Sequence, residues 1–233
     1  MNVLLPLLLL GAVAPLVRAD WNGSLGLVSD YVSRGWTQSD GTAAPQAGLG
    51  WSHSRGPHVD AWASRVKFPG DDSRAELDLG AGWAGSWVGP ALDWDLQLQA
   101  ILYPGTSGAD YPEFLLGVGR ESWSAELSWS PDIWASGADG WYLAAERSQG
   151  LGDRLSLRGG LGCTRFSRPA AGWLFGSSGS QTLLDGHLAL DGRLAGLDLS
   201  LVYYDADART RELAGDQSGR RIVLEILRQF PND

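Results

Sequence analysis

The chain has one cysteine, Cys163, in 233 residues, so no internal disulfide can hold it together. Beyond its N-terminus it has no apolar run near the roughly 20 residues that a membrane-spanning helix needs. It also lacks sustained 3.6-residue periodicity, which argues against a helical bundle. Basic residues are the minority charge: 18 Lys and Arg against 27 Asp and Glu give a net charge of −9. That balance disfavours nucleic acid and anionic lipid surfaces as partners. Histidines number only three, which leaves little for catalysis. His187 lies between Asp185 and Asp191, His53 and His58 flank a short turn, and no serine is tied to any of them by a recognised motif. Asp185-x-His187 offers only two ligands, fewer than a metal site requires. No glycine-rich stretch opens a helix, so nothing is placed to cradle phosphate. The expectation is a protein that is not an enzyme and holds neither metal nor cofactor.

What is plentiful is glycine, at 32, and tryptophan, at 12. Short strands with aromatic ends and glycine-broken turns account for both. The apolar run from Val3 to Val17 leads into Leu16-Val17-Arg18-Ala19 and carries Pro6 and Pro15. It is too short for a spanning helix and reads as a secretory signal cut after Ala19, for the Sec pathway, with an uncleaved anchor as the alternative. Residues 20–233 would then form one domain.

Alternation decides the class of that domain, because successive strand side chains point to opposite faces. In Leu92-Asp93-Trp94-Asp95-Leu96-Gln97-Leu98-Gln99-Ala100, one face is apolar and the other carries two Asp and two Gln. Similar runs lie near 24–35, 44–53, 57–68, 74–85, 91–103, 113–121, 122–130, 139–148, 153–166, 182–193, 196–205 and 220–230. Connections after the odd runs are long and those after the even runs short. A soluble sandwich has no reason to sort its loops this way, whereas outer-membrane barrels have short periplasmic turns and longer extracellular loops. The fold expected is a single transmembrane, antiparallel, up-and-down β-barrel of about twelve strands. Tryptophans gather at strand ends, as aromatic girdles do: Trp51, Trp87, Trp94 and Trp123 near the short turns, Trp36, Trp129 and Trp141 near the long loops. The last strand ends at Phe230 with apolar Ile222, Leu224 and Ile226 alternating before it, followed by Pro-Asn-Asp. It reads like the signal by which barrel-assembly machinery recognises its clients.

The stretch "SDYVSRGWTQSDG", Ser29 to Gly41, with Gln46 beyond it, resembles the start of the TorF family of proteobacterial outer-membrane porins. The likeness continues in order through Trp62-x-Ser64-x-Val66-x-Phe68, Glu76-Leu77-Asp78 with Ala81-Gly82, Trp94-Asp95, Tyr103-Pro104-Gly105 and Asp110-Tyr111-x-Glu113. The chain departs from the pattern at Ala43, Pro45, Gly50 and Arg65. The resemblance implies a β-barrel in the outer membrane of a Gram-negative bacterium, with lipid around it and small solutes or ions passing through it.

Strand parity then assigns an inward face. A turn centred on Asp71-Asp72 would set Lys67 opposite Glu76 and Arg65 opposite Asp78, with Trp62, Ser64, Val66 and Phe68 outward. Asp30, Arg34, Arg65, Lys67, Glu76 and Asp78 would form a charge ladder at the outer mouth, with Asp93 and Asp95 deeper in the lumen. Tyr31 would face lipid and Trp36 the outer interface. Inward acids are Asp30, Glu76, Asp78, Asp93, Asp95, Glu126, Glu146, Asp185, Asp191, Asp198 and Glu225. Inward bases are Arg34, Arg65, Lys67, Arg154, Arg158 and Arg193, so acids lead by about eleven to six. Carboxylate-lined pores favour cations, hence the reading: a passive channel for small polar solutes or ions with a cation-leaning lumen. The alternatives are a closed barrel acting through its external loops and a soluble carbohydrate-binding β-protein using tryptophans such as Trp134 and Trp173.

Overall fold

In the computed structural model, residues 20–68, 72–87, 92–105 and 109–231 are described; the candidate signal segment 1–19 and Asp71 of the candidate turn lie outside them. The strands, in chain order, are β1 (Asp20–Val28), β2 (Val32–Ser33), β3 (Trp36–Thr37), β4 (Ala44–Ser52), β5 (Pro57–Arg65), β6 (Ala75–Trp87), β7 (Leu92–Leu102), β8 (Tyr111–Arg120), β9 (Trp123–Ser130), β10 (Gly140–Gly150), β11 (Leu155–Phe166), β12 (Gln181–Leu194), β13 (Leu197–Ala206) and β14 (Arg221–Phe230). Two short helices, α1 (Arg168–Phe175) and α2 (Ala208–Ala214), sit in the long connections before β12 and β14. Twelve of the strands form one closed barrel, each antiparallel to its sequence neighbour, with β1 pairing both β4 and β14. Closure removes the exposed edges that an open sheet would present.

The wall inverts the pattern of a water-soluble protein. On β7, Leu96 and Leu98 are 52% and 50% exposed, while Asp95 and Gln99 are 6% and 3% exposed. The same reversal recurs around the barrel, with Leu25, Leu49, Leu79, Leu143, Leu188 and Leu224 on the outside and Glu76, Asp78, Glu113, Glu126, Glu146 and Arg158 on the inside. Such a wall is stable only where its outer surroundings are apolar. Aromatics mark both ends of the outer wall. Trp87 and Trp94 lie 6.2 Å apart near one short turn, with Trp51 and Trp123 on neighbouring strands at the same end. At the other end Phe114, Trp129 and Trp141 form a row with centroids 5.5 and 5.9 Å apart.

Two expectations fail. The first run does not extend to Gly35 as a wall strand; β1 ends at Val28 and the chain turns into the barrel. Trp36 is therefore absent from the girdle: it is buried with Ile133, Phe166, Ala170, Ala171 and Leu183 in a cluster that caps the long-loop end. Tyr31 is buried instead of facing lipid. Second, Glu76 pairs Ser64, and Asp78 pairs Trp62. Glu76 thus meets a residue three positions from Lys67, and an odd slip exchanges the faces of a strand. Trp62, Ser64 and Val66 consequently turn inward, and Arg65 pairs Ala75 on the outer side. The reason lies in packing that no single strand encodes: Tyr31 needs a partner inside and finds Trp62 edge-on at 5.4 Å.

Candidate functional site

The segment between β1 and β4 crosses the lumen. Asp30 organises its base, accepting hydrogen bonds from Thr37 Oγ1, from Ser39 Oγ at 3.0 Å and from the Gly41 N–H at 3.2 Å. Arg221 on β14 adds an ion pair to Asp30 at 3.1 Å. Above that base β2 and β3 pair Val32 with Thr37 and Ser33 with Trp36, which leaves Arg34-Gly35 as a two-residue turn. Both have positive φ, 51° and 81°, the combination a tight hairpin with mirror-image turn geometry requires. Glycine suits the second position twice over, because a Cβ there would also stand 2.7 Å from the Asp185 Cβ.

The turn projects Arg34 across to the far wall. Its Nη1 and Nη2 donate to the two carboxylate oxygens of Glu113 on β8, each at 2.7 Å, and Nη2 also donates to Ser128 Oγ on β9 at 3.1 Å. The guanidinium carbon stands 4.6 Å from the ring centre of Tyr142 on β10. Both partners of the ion pair are nearly dry, with side chains 8% and 3% exposed. Paired, bidentate and desolvated, this contact belongs to the strong class of charge-assisted hydrogen bonds.

Glu76 and Asp78 take different partners from those expected. Glu76 accepts hydroxyl hydrogen bonds from Tyr31 at 2.9 Å and Tyr103 at 2.8 Å. Asp78 accepts from Gln99 at 2.8 Å. Arg65 and Lys67 do not enter the lumen. Arg65 donates to Thr42 Oγ1 and the Ala43 carbonyl at the rim, and Lys67 pairs the exposed Asp40 at 2.6 Å. The hydrogen bond from Lys67 holds the Asp40 carboxyl below its ordinary range. The ladder thus divides: Arg34 bridges the barrel, Glu76 and Asp78 are clasped by neutral donors, and the two remaining cations stay outside.

Asp93 and Asp95 do face inward on β7. Asp93 accepts from Ser86 Oγ, and Asp95 lies 2.8 Å from His58 Nε2. His58 and Asp60 were missed because the β5 parity was reversed. Gly82 and Gly80 on β6 make room for them: a Cβ would lie 2.5 Å from His58 Nε2 and 2.5 Å from Asp60 Oδ1. Glu113 was also missed as lumen lining, although its alternation with Phe114 and Leu116 was legible. Relative to the expected inner face, two acids and Arg221 join while Arg65 and Lys67 leave, so the acidic excess grows.

Beneath the hairpin lies a cavity of about 760 Å³. Asp30, Tyr31 and Val32 roof it, Asp191, Ser200 and Glu225 line its sides, and the turn residues Gly152, Asp153 and Arg154 stand at its short-turn rim. Above the hairpin, the apolar cap is thickened by Trp134, 5.1 Å from Trp36 and 5.0 Å from Phe166. Trp173 on α1 remains 65% exposed at that end. Among the described residues the lumen is therefore asymmetric: its larger cavity reaches the short turns, and an apolar cluster covers the hairpin on the long-loop side.

Residues 17–227 match a family model described as "Bacterial protein of unknown function (Gcw_chp)", and the chain belongs to that family. No curated protein matches the sequence. Among solved structures, the COG4313 outer membrane channel from Pseudomonas putida F1 is similar at 11% identity, over 94% of this chain and 98% of that one, with a TM-score of 0.51. The KdgM porin is similar at 6% identity, over 89% and 98% of the two chains, with a TM-score of 0.54. At such identities the likeness establishes a shared barrel fold, that of outer-membrane channels.

Proposed function

We propose that the protein is an outer-membrane porin of the TorF kind, a passive, cation-leaning passage for small polar solutes or ions whose narrowest point is the Arg34 hairpin. One observation carries the reading: a closed twelve-stranded wall, apolar outside, surrounds an acid-rich interior with a cavity of about 760 Å³ reaching the short-turn rim. Carboxylates in excess of the bases that pair with them suit the conduction of cations. The aromatic rows at the two ends of the wall suit the two membrane interfaces. On this reading the short turns are periplasmic, export uses the Sec pathway through a signal at 1–19, and the strand ending at Phe230 is what the assembly machinery engages. Outer-membrane lipid covers the Leu-rich wall.

The test is recording from purified protein in planar bilayers under a salt gradient. The expected result is conductance with a reversal potential displaced toward the cation equilibrium value. Anion preference would remove the cation-leaning part, and silence from both the wild type and a variant lacking residues 30–42 would remove the channel. The second reading, a closed barrel acting through its external loops, is favoured by the apolar cap around Trp36, Ile133 and Phe166. Silence of both proteins would select it.

A further inference from the structure

Arg34 sits in a socket with more acid around it than one arginine neutralises. Glu113 takes two of its nitrogens, Ser128 shares one of them, and the Tyr142 ring covers one face. Two further carboxylates, Glu126 and Asp185, line a cavity of about 80 Å³ at the same place. Tyr142 hydroxyl donates to Oδ1 of Asp185 at 3.4 Å, while its Oδ2 is buried with no hydrogen-bond partner. That oxygen is a buried acceptor without a donor to meet it, lying against β11 where a Cβ on Gly162 would stand 2.5 Å away.

The charged and aromatic members of this socket belong to the barrel: Glu113 on β8, Glu126 and Ser128 on β9, Tyr142 on β10 and Asp185 on β12. The occupant comes from the inward hairpin, whose Val32, Ser33 and Gly35 also line the cavity. The recognition elements are a carboxylate set for two parallel N–H donors and an aromatic face at stacking distance. Both match a planar guanidinium and neither favours a compact ammonium. Glu126 lines a second cavity, of about 100 Å³, that runs past Asp95 and Gly117 to Arg120 and Glu121 at the short-turn rim.

We infer that this socket is a binding subsite for a small guanidinium-bearing solute, occupied in the state described by the chain's own Arg34. The tethered side chain competes at an effective concentration on the order of millimolar or more. A free solute therefore takes the socket only when the hairpin withdraws. Binding in the socket stands on the geometry alone, while its use by a solute in transit rests on the channel reading above.

The experiment empties the socket. R34A is purified in detergent, its heat-modifiable gel mobility confirming a folded barrel, and titrated calorimetrically with methylguanidinium and with methylammonium. Methylguanidinium is expected to bind at least about tenfold more tightly than methylammonium, the loss of one charge-assisted hydrogen bond being worth that factor or more. The wild type, with its socket filled, and R34A/E113Q, with its bidentate acceptor gone, should not show this preference. Equal affinity for the two cations, or an undiminished preference in R34A/E113Q, overturns the proposal. If R34A does not fold, R34Q empties the charge while keeping a polar side chain, and the same readout applies. Single-channel recording of R34A separates the two readings: a silent barrel that still prefers methylguanidinium in the calorimeter sinks the channel and keeps the subsite.

Discussion

Arg158 and Arg34 are both buried in the lumen, and they are held in opposite ways. Arg158, with no exposed side chain surface, lies on β11 between strands that pair with it directly. It donates to both oxygens of Asp191 on β12 at 3.0 and 3.1 Å and to Glu146 on β10 at 3.2 Å, with His187 Nε2 also 3.2 Å away. Arg34 reaches its acid across the barrel, from a hairpin that pairs with no wall strand. The difference separates two uses of the same chemistry. An ion pair between neighbouring strands is part of the wall and breaks only when the wall does. One that spans the lumen can be released with the cylinder intact.

The largest effect should come from breaking the wall-bound arginine. Arg158→Ala leaves Glu146 and Asp191 buried without their cation, a loss on the order of 3–5 kcal/mol. It should lower the temperature at which the folded gel band converts to the unfolded one. A loss under about 1 kcal/mol, typical of surface pairs, would erase the contrast. Arg34→Ala should cost less, roughly 1–3 kcal/mol, because the freed hairpin can move and let water reach Glu113. Its main effect should be a higher single-channel conductance than the wild type. Equal destabilisation by the two alanines would mean that the hairpin is as much a part of the wall as β11.

Gly35→Val sharpens the same point without touching a charge. Its strained φ and its approach to Asp185 should dislodge the hairpin at a cost of about 1–3 kcal/mol. Conductance should then rise as for Arg34→Ala; an unchanged trace would place the constriction elsewhere. The smallest effect belongs to the rim. Lys67→Met should lower the melting of the barrel only slightly, since exposed pairs contribute little. The depressed Asp40 carboxyl implies that this contact is present above the ordinary carboxylate range and lost as pH falls through the lowered value. A melting shift confined to that acid range, absent from Lys67→Met, would report it.

Much of the architecture was legible. Alternating Leu92 to Ala100 placed Asp95 inward and Leu96 outward, and the sorting of long and short connections set the up-and-down order. The places of Trp51, Trp87, Trp94, Trp123, Trp129 and Trp141 toward strand ends followed from where the alternating runs stop, because each strand carries its own record of which face is apolar. The site was legible only in part. Arg34, Asp30, Glu76 and Asp78 were placed inside, yet their partners were not. Alternation also carried Tyr31 and Trp36 into a strand that ends before them. On β5 the inner and outer faces are both of mixed polarity, Trp62 and Ser64 against Ala63 and Arg65, so local pattern did not discriminate between registers.

What the sequence alone determined is therefore whatever repeats within a strand: the β class, the strand count, the polarity of most faces and the ends at which loops are long. These are local properties, set by the two-residue period of the backbone. Tertiary structure decided the rest: the slip that turned Arg65 outward, the hairpin that buried Trp36, and the choice of Glu113, 79 residues from Arg34, as its partner. Such choices depend on what the closed wall brings within reach, since a bidentate ion pair forms only where both geometry and exclusion of water are supplied by strands remote in the chain.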